Sequence, residues 1–230
     1  MSTHRPVVAV VPAKDEQTRL GATLQALLAL AEVDLVVVVD DGSTDATSTV
    51  ARDHGVLVCR HPTNRGKAAA MTTGAAAARE HLGPDVDHLL LFVDADLEQS
   101  AGALSALVGP VASGAADMTI AVLPPQRQSG GGHGFVVRLA RKGIVDRTGW
   151  VPTQPLSGMR CLRRSAYDVA QPLARGWGVE VGLTIDVLRS GATVLEVACD
   201  LHHRVTGRDW RSQLHRAAQY RDVWLALRPR

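Results

Sequence analysis

Carboxylates gather at three places in the N-terminal half: Asp15-Glu16 within PAKDE, Asp40-Asp41 and Asp45 within DDGSTD, and Asp94-Ala95-Asp96-Leu97-Glu98. A basic turn, Asn64-Arg65-Gly66-Lys67, lies between the second and third clusters. Adjacent carboxylates such as Asp40 and Asp41 repel unless a cation or hydrogen-bond donors offset them. An Asp-x-Asp triplet on a strand turns both carboxylates to one side, about 6–7 Å apart. Hard divalent cations such as Mg²⁺ or Mn²⁺ suit that arrangement, because they take one or two carboxylates together with substrate phosphates. The chemistry such a cluster could do is metal-assisted expulsion of a phosphate leaving group, with Lys67 or Arg65 adding positive charge. Ser43, Asp41 and Asp45 also suit helix capping, which alone would account for much of DDGSTD.

For the clusters to act together the fold must bring them to one edge. Each follows a short apolar run: Val7–Val11, Leu35–Val39 and Leu89–Val93, with Val56–Cys59 before the basic turn. Helical patterns fill the gaps at Gln17–Ala31, Thr44–His54, Ala68–Leu82 and Ala101–Ser113, and a further strand is expected at Met118–Val122. Continuous runs such as LVVVV belong to strands covered by helices on both faces. Strand–helix alternation at this spacing predicts an α/β fold with a Rossmann-like, mostly parallel sheet flanked by helices. Ligands of such sheets bind outside the carboxyl ends of the strands, where all four clusters fall.

The rhythm breaks at Pro124. Residues 124–134 form a Pro- then Gly-rich loop expected to be flexible. It divides one continuous domain into a donor-binding half, 1–123, and an acceptor half, 124–230. The second half is expected to hold a basic helix (Phe135–Arg147), a strand (Leu156–Leu162) and a helix (Glu180–Ser190). A strand (Thr193–Ala198) and an amphipathic last helix (Trp210–Leu227) complete it.

Composition excludes several classes. A chain of 230 residues with 46% hydrophobic and 21% charged residues is globular rather than disordered. A net charge of +2 and only 3% aromatics argue against a nucleic-acid partner. No apolar run reaches the ~18 residues of a membrane span. Three dispersed cysteines, Cys59, Cys161 and Cys199, read as buried thiols of a reducing compartment, so a cytoplasmic location is expected.

VVPAKDE, VVVVDDGSTDAT, NRGKAAAM and FVDADLE, in this order and spacing, resemble the nucleotide-sugar half of family-2-type glycosyltransferases of GT-A fold. The resemblance implies a metal-dependent transferase using a UDP- or GDP-sugar with Mg²⁺ or Mn²⁺. It implies that Pro12, Ala13, Glu16, Asp41, Lys67, Asp94 and Ala95 line the nucleotide pocket, with Asp96 on the metal. Asp15 departs from the family's usual Asn. In the C-terminal half Leu156-Ser157-Gly158-Met159-Arg160 resembles the SGxR segment of polyprenyl-phosphate sugar transferases. There Gly158 would allow close approach and Arg160 would hold an acceptor phosphate.

GWGVEVGLTID, residues 176–186, resembles a segment of the glucosyl-3-phosphoglycerate synthases and their relatives. Glu180, beside an expectedly mobile Gly-Trp-Gly, would face the acceptor and act as general base if the configuration inverts. The tail DLHHRVTGR resembles one that closes over the donor, which implies His203 as a metal ligand, with His202 in reserve, and Arg204 as a phosphate ligand; Glu98 is the alternative third ligand. The acceptor is expected to be a small molecule such as phosphoglycerate, or a polyprenyl phosphate. The latter would suit a basic last helix resting on the inner membrane face. The alternatives are a sugar-phosphate nucleotidyltransferase, disfavoured by the absence of a Gly-rich turn after the first strand, and a non-catalytic nucleotide-sugar-binding module.

Overall fold

The apolar strand runs alternate between two cores, which is why they are apolar on both faces. In β1 (Val7–Ala13), Val7, Ala9 and Val11 face one core while Val8 and Val10 face the other. β2 (Leu35–Asp41) and β4 (Leu89–Phe92) split their side chains the same way. The computed structural model describes residues 4–124, 134–201 and 210–228. The expected flexible loop therefore lies mostly outside the described residues.

The first core packs under α1 (Leu20–Leu28), α2 (Thr47–Asp53), a 3-10 turn at Glu98–Leu104 and α4 (Ser105–Ala112). The second packs under α3 (Lys67–Leu82), α6 (Arg164–Val169) and α7 (Val179–Arg189). A third, smaller core joins α5 (Gly134–Thr148) and α7 to α8 (Trp210–Ala226) through Val136, Ala140, Ile144, Val181, Ile185, Val223 and Leu227. That packing makes α8 part of the domain.

With β3 (Leu57–His61), β5 (Met118–Val122), β6 (Arg160–Arg163) and β7 (Val194–Ala198), the strands form one seven-stranded sheet in the order β3-β2-β1-β4-β6-β5-β7. All pairings are parallel except those of β6, which runs antiparallel to β4 and β5. The chain leaves β1 toward β2 and returns to place β4 on its other side, so the crevice lies beyond the carboxyl ends of β1 and β4. Because β6 is antiparallel, its entry, not its exit, reaches that edge: Arg160 pairs with Phe92. Gly158 and Ser157 are thereby carried to the same rim. The expected strand Leu156–Leu162 is shorter than read, since residues 156–159 turn across the crevice.

α3 presents small residues to the sheet, and Gly74 is where it comes closest. A Cβ there would overlap Val10 Cγ1 and sit 3.2 Å from Val39 Cγ2. Gly74→Ala should therefore lift the helix and cost about 1–3 kcal/mol, the usual range for overpacking. Thermal or urea unfolding reads this directly, and an unchanged midpoint would contradict the close approach.

Candidate active site

Four strand ends build one cavity of about 370 Å³. Pro12, Ala13 and Lys14 come from β1 and its exit, Asp41 from β2, Asn64 and Gly66 from the turn before α3, and Lys67 from its first residue. Asp94 follows β4, and Gly176, Trp177 and Glu180 close the other side.

Lys67 is the electrostatic centre. Its Nζ lies 2.7 Å from Asp94 Oδ1 and 3.0 Å from Glu180 Oε1. Burial alone would lower the Lys67 pKa, but the two carboxylates outweigh it and the pKa is raised. Gly158 makes room for this cluster: a Cβ would stand 2.5 Å from Lys67 Nζ and 3.1 Å from both Asp94 carboxylate oxygens. Its expected close approach is thus to Lys67 and Asp94.

Asp40 and Asp41 avoid each other by facing opposite ways, each met by donors. Buried Asp40 accepts from the Ser43 amide at 2.8 Å and from the Ser48 hydroxyl, with Arg60 Nε at 3.5 Å. Burial pushes its pKa up, yet these donors and Arg60 together hold it below the usual value. Asp41 accepts from the Arg65 and Gly66 amides at 2.8 and 2.7 Å and pairs with His61 Nδ1 at 2.7 Å. It lines the cavity and also fixes the turn that delivers Lys67. The capping reading of DDGSTD holds in part, because Asp45 Oδ1 accepts from the Thr47 amide opening α2 at 2.9 Å.

Glu16 is not among the residues that line this cavity, and Arg19 Nε and Nη2 hold its carboxylate at 2.9 and 2.6 Å. Two expectations need correction. The Asp-x-Asp triplet does not alternate along a strand, since β4 ends at Phe92 and the chain turns at Ala95–Asp96. Asp94 is consequently drawn to Lys67, while Asp96 lies near Arg19. The Arg19 pKa is raised chiefly by Glu16, with further contributions from Asp96 and Glu98. Arg160 does not offer its fork to a ligand in solution. It is 1% exposed, donates from Nε and Nη2 to the Ser157 carbonyl at 3.1 and 2.9 Å, and from Nη1 to Thr184 Oγ1 at 2.8 Å. Burial depresses its pKa to about 10, against the pull of Glu180 and Asp94. It is a buried counter-charge behind these two carboxylates.

Thr23 pins the acidic turn: its hydroxyl donates to the Ala95 carbonyl at 2.9 Å and accepts from the Glu98 amide at 2.8 Å. Ala95 is buried, and its carbonyl is the one that Thr23 takes. Asp15 and Glu98 both hold left-handed backbone, at φ 55° and 50°, in the turns after β1 and β4. Strain kept by neighbouring hydrogen bonds at two rim turns is what a preorganised site requires. Among the described residues no three of His, Cys, Asp and Glu converge on a cation position. His203 and Arg204 lie outside the described residues.

The Gly-Trp-Gly segment owes its glycines to packing rather than to mobility. A Cβ at Gly178 would stand 2.6 Å from both Ala226 Cβ and the Asp222 carbonyl oxygen, and one at Gly176 would overlap Asp222 Oδ2. Helix α8 thus packs directly against the Gly-Trp-Gly turn that precedes Glu180. Asn64, Ala70, Gly176 and Trp177 line the cavity without having been singled out for that role; the proximity of α8 leaves no mark in the local pattern. Among the described residues the three cysteines are free thiols. No described helix is long and apolar enough to cross a membrane.

Comparison with known proteins accords with this layout. A family model described as "Glycosyl transferase family 2" matches residues 8–169. A glucosyl-3-phosphoglycerate synthase of Mycolicibacterium paratuberculosis is 30% identical over 207 residues, spanning 79% of this chain and 60% of that protein. An uncharacterized glycosyltransferase of Mycobacterium bovis is 30% identical over 209 residues, covering 88% of each chain. Glucosyl-3-phosphoglycerate synthase of Mycobacterium tuberculosis, solved with Mn²⁺, UDP and phosphoglyceric acid, is similar in structure. Its TM-score is 0.76 at 27% identity, over 97% of this chain and 77% of that one. The α/β sheet described above is the GT-A fold of that synthase. On sequence and fold together, the chain belongs to glycosyl transferase family 2.

Proposed function

We propose that this chain transfers a glycosyl group from a nucleoside-diphosphate sugar, UDP- or GDP-linked, to a small-molecule acceptor. The observation that carries the reading is the Lys67–Asp94–Glu180 cluster at the mouth of a cavity walled by Pro12, Ala13 and Asp41. The nucleoside would lie along β1 and β2, and the diphosphate would point toward the acidic turn after β4. Transfer breaks the bond from the anomeric carbon to the diphosphate and forms one to the acceptor oxygen. The nucleoside diphosphate leaves with the electron pair.

Asp96 and Glu98 offer hard oxygen donors beside the strained turn, which fits Mg²⁺ or Mn²⁺ sharing its coordination with substrate phosphates. Structures of the M. tuberculosis synthase with Mn²⁺ or Mg²⁺ and UDP support the use of a divalent cation. The ion, when bound, supplies charge to the departing diphosphate. His203 is the proposed third ligand and Arg204 a phosphate contact. Glu180, one hydrogen bond from Lys67, holds the Lys67 ammonium and positions the acceptor. It receives the acceptor proton only if configuration inverts.

A cytoplasmic site of action accords with this chemistry. A lipid-phosphate acceptor draws its support from α8, which exposes Tyr220, Trp224 and Leu225 near Arg221 and Arg228. That face would rest on an anionic membrane. Release of nucleoside diphosphate from UDP-glucose and GDP-mannose, with Mn²⁺, tests the function. Turnover of one donor that falls about 10²–10³-fold in Asp96→Ala is expected. Turnover of neither donor, or full activity in that variant, would contradict it.

A further inference from the structure

Another cavity lies at the end of the sheet away from the donor site. It encloses about 180 Å³ between α3, the start of β4 and α6, and the two cavities share no described lining residue. Ala75, Leu90 and Tyr167 give it an apolar floor. Its basic and acidic side chains are Arg79, His88, Arg164 and Asp168.

His88 sets the chemistry of this cavity. It immediately precedes β4, is 1% exposed and donates from Nδ1 to the Val86 carbonyl at 2.9 Å. A carbonyl only accepts, so Nδ1 carries the proton, and Nε2 of the neutral ring is an acceptor. No described group donates to Nε2. Nor is Nε2 one of the fully enclosed atoms left without a partner, which are Ser157 Oγ, Arg163 Nε and Tyr167 Oη. It therefore opens on the cavity that His88 lines, within reach of a donor placed there.

Positive charge surrounds this acceptor. The Arg79 side chain makes no hydrogen bond or ion pair among the described residues. Arg164 uses Nη1 on the Pro84 carbonyl at 2.6 Å and Nε on Asp168 Oδ2 at 3.4 Å, which leaves Nη2. Asp168 is the one carboxylate among the described lining residues, and it is already paired, so one cation of the wall is left uncompensated. Such a wall attracts an anion, yet an anion that can only accept sets a lone pair against Nε2. An anion that also carries an O–H satisfies both.

We propose that this cavity binds a small anion bearing its own hydroxyl, of which hydrogen phosphate is the simplest. The P–OH donates to His88 Nε2, and the charged oxygens accept from Arg79 and Arg164. The site is separate from the glycosyl-transfer chemistry, although its walls also serve the donor cavity: α3 begins at Lys67, and β4 leads to Asp94.

Calorimetric titration of the full chain at pH 8.5, where an imidazole is neutral, tests this, with UDP and Mg²⁺ in excess to fill the donor cavity. Hydrogen phosphate and sulfate are then dianions of similar size that differ by one proton. Phosphate should bind with a Kd of about 1 mM, and about tenfold or more tighter than sulfate. Methyl phosphate, a dianion at this pH without a P–OH, should behave as sulfate does, which separates free phosphate from a phosphomonoester. Arg79→Gln should weaken phosphate and sulfate alike, by about fivefold, and leave their ratio unchanged. His88→Asn keeps a donor for the Val86 carbonyl but removes Nε2, so the ratio should fall close to one. UDP affinity in the same samples reports whether each variant is folded. The proposal is overturned by phosphate that does not bind the UDP-filled chain, or by sulfate or methyl phosphate bound as tightly as phosphate. An undiminished ratio in His88→Asn, or an unchanged phosphate affinity in Arg79→Gln, would overturn it equally. Neither variant touches the donor cavity, so a failure of UDP to bind the wild type would bear on the glycosyl-transfer reading alone.

Discussion

Lys67→Met should abolish most turnover, by about 10²–10³-fold, and lower stability by about 1–3 kcal/mol. The reason is the charge balance at the mouth of the donor cavity. Asp94 and Glu180 share one ammonium, and without it two carboxylates face each other where a diphosphate must arrive. The stability cost falls short of that of a fully buried pair, because Lys67 keeps 29% of its side chain exposed. Arginine should not rescue the variant. The recess above Gly158 accepts an ammonium, and the planar guanidinium needs more room than a missing Cβ provides. The pH dependence follows from the raised pKa. The contribution of Lys67 to stability is complete below its unfolded value of 10.5 and is lost only as the pH climbs through the higher folded value. Its loss in Lys67→Met should therefore be constant across the neutral range. Steady-state kinetics and urea unfolding of the two variants check each part, and full rescue by arginine would contradict it.

Gly158→Ala should separate function from stability. Its backbone does not lie in the left-handed region, so alanine brings no backbone strain. The nearest atoms that the new methyl group meets are the ends of two side chains, Lys67 Nζ at 2.5 Å and the Asp94 oxygens at 3.1 Å. Those ends can move, so the fold should lose no more than about 1 kcal/mol. Moving them breaks the ion pair that orients the cluster, and kcat/KM should fall about 100-fold, the scale expected when positioning near the reacting centre is disturbed. Comparable losses in stability and activity, or loss of neither, would show that the close approach is unimportant to the site.

Much of the donor half was legible because its signals are local. Each β-branched run became a strand within two residues of its expected bounds, and the clusters after β1, β2 and β4 reached one edge as a doubly wound sheet requires. The errors came from chemistry at longer range. Strand alternation was extended through Asp96, whereas Thr23, from α1, bends the chain after Val93.

The acceptor half was harder to read. The direction of β6 depends on its neighbours, and only that direction brings Gly158 to the rim while turning Arg160 inward. Gly176 and Gly178 looked like a hinge because the proximity of Asp222 and Ala226 on α8 lies more than forty residues away in the chain.

The account stands most directly on the donor cavity. Calorimetric titration of UDP and GDP into the purified chain, with Mn²⁺ and again with EDTA, measures it without knowledge of sugar or acceptor. Micromolar binding of one nucleotide in Mn²⁺ that weakens about tenfold or more in EDTA is the predicted result. Absence of binding by both nucleotides, or binding that EDTA leaves unchanged, would contradict a metal-assisted nucleotide-sugar site at Asp41, Lys67, Asp94 and Asp96.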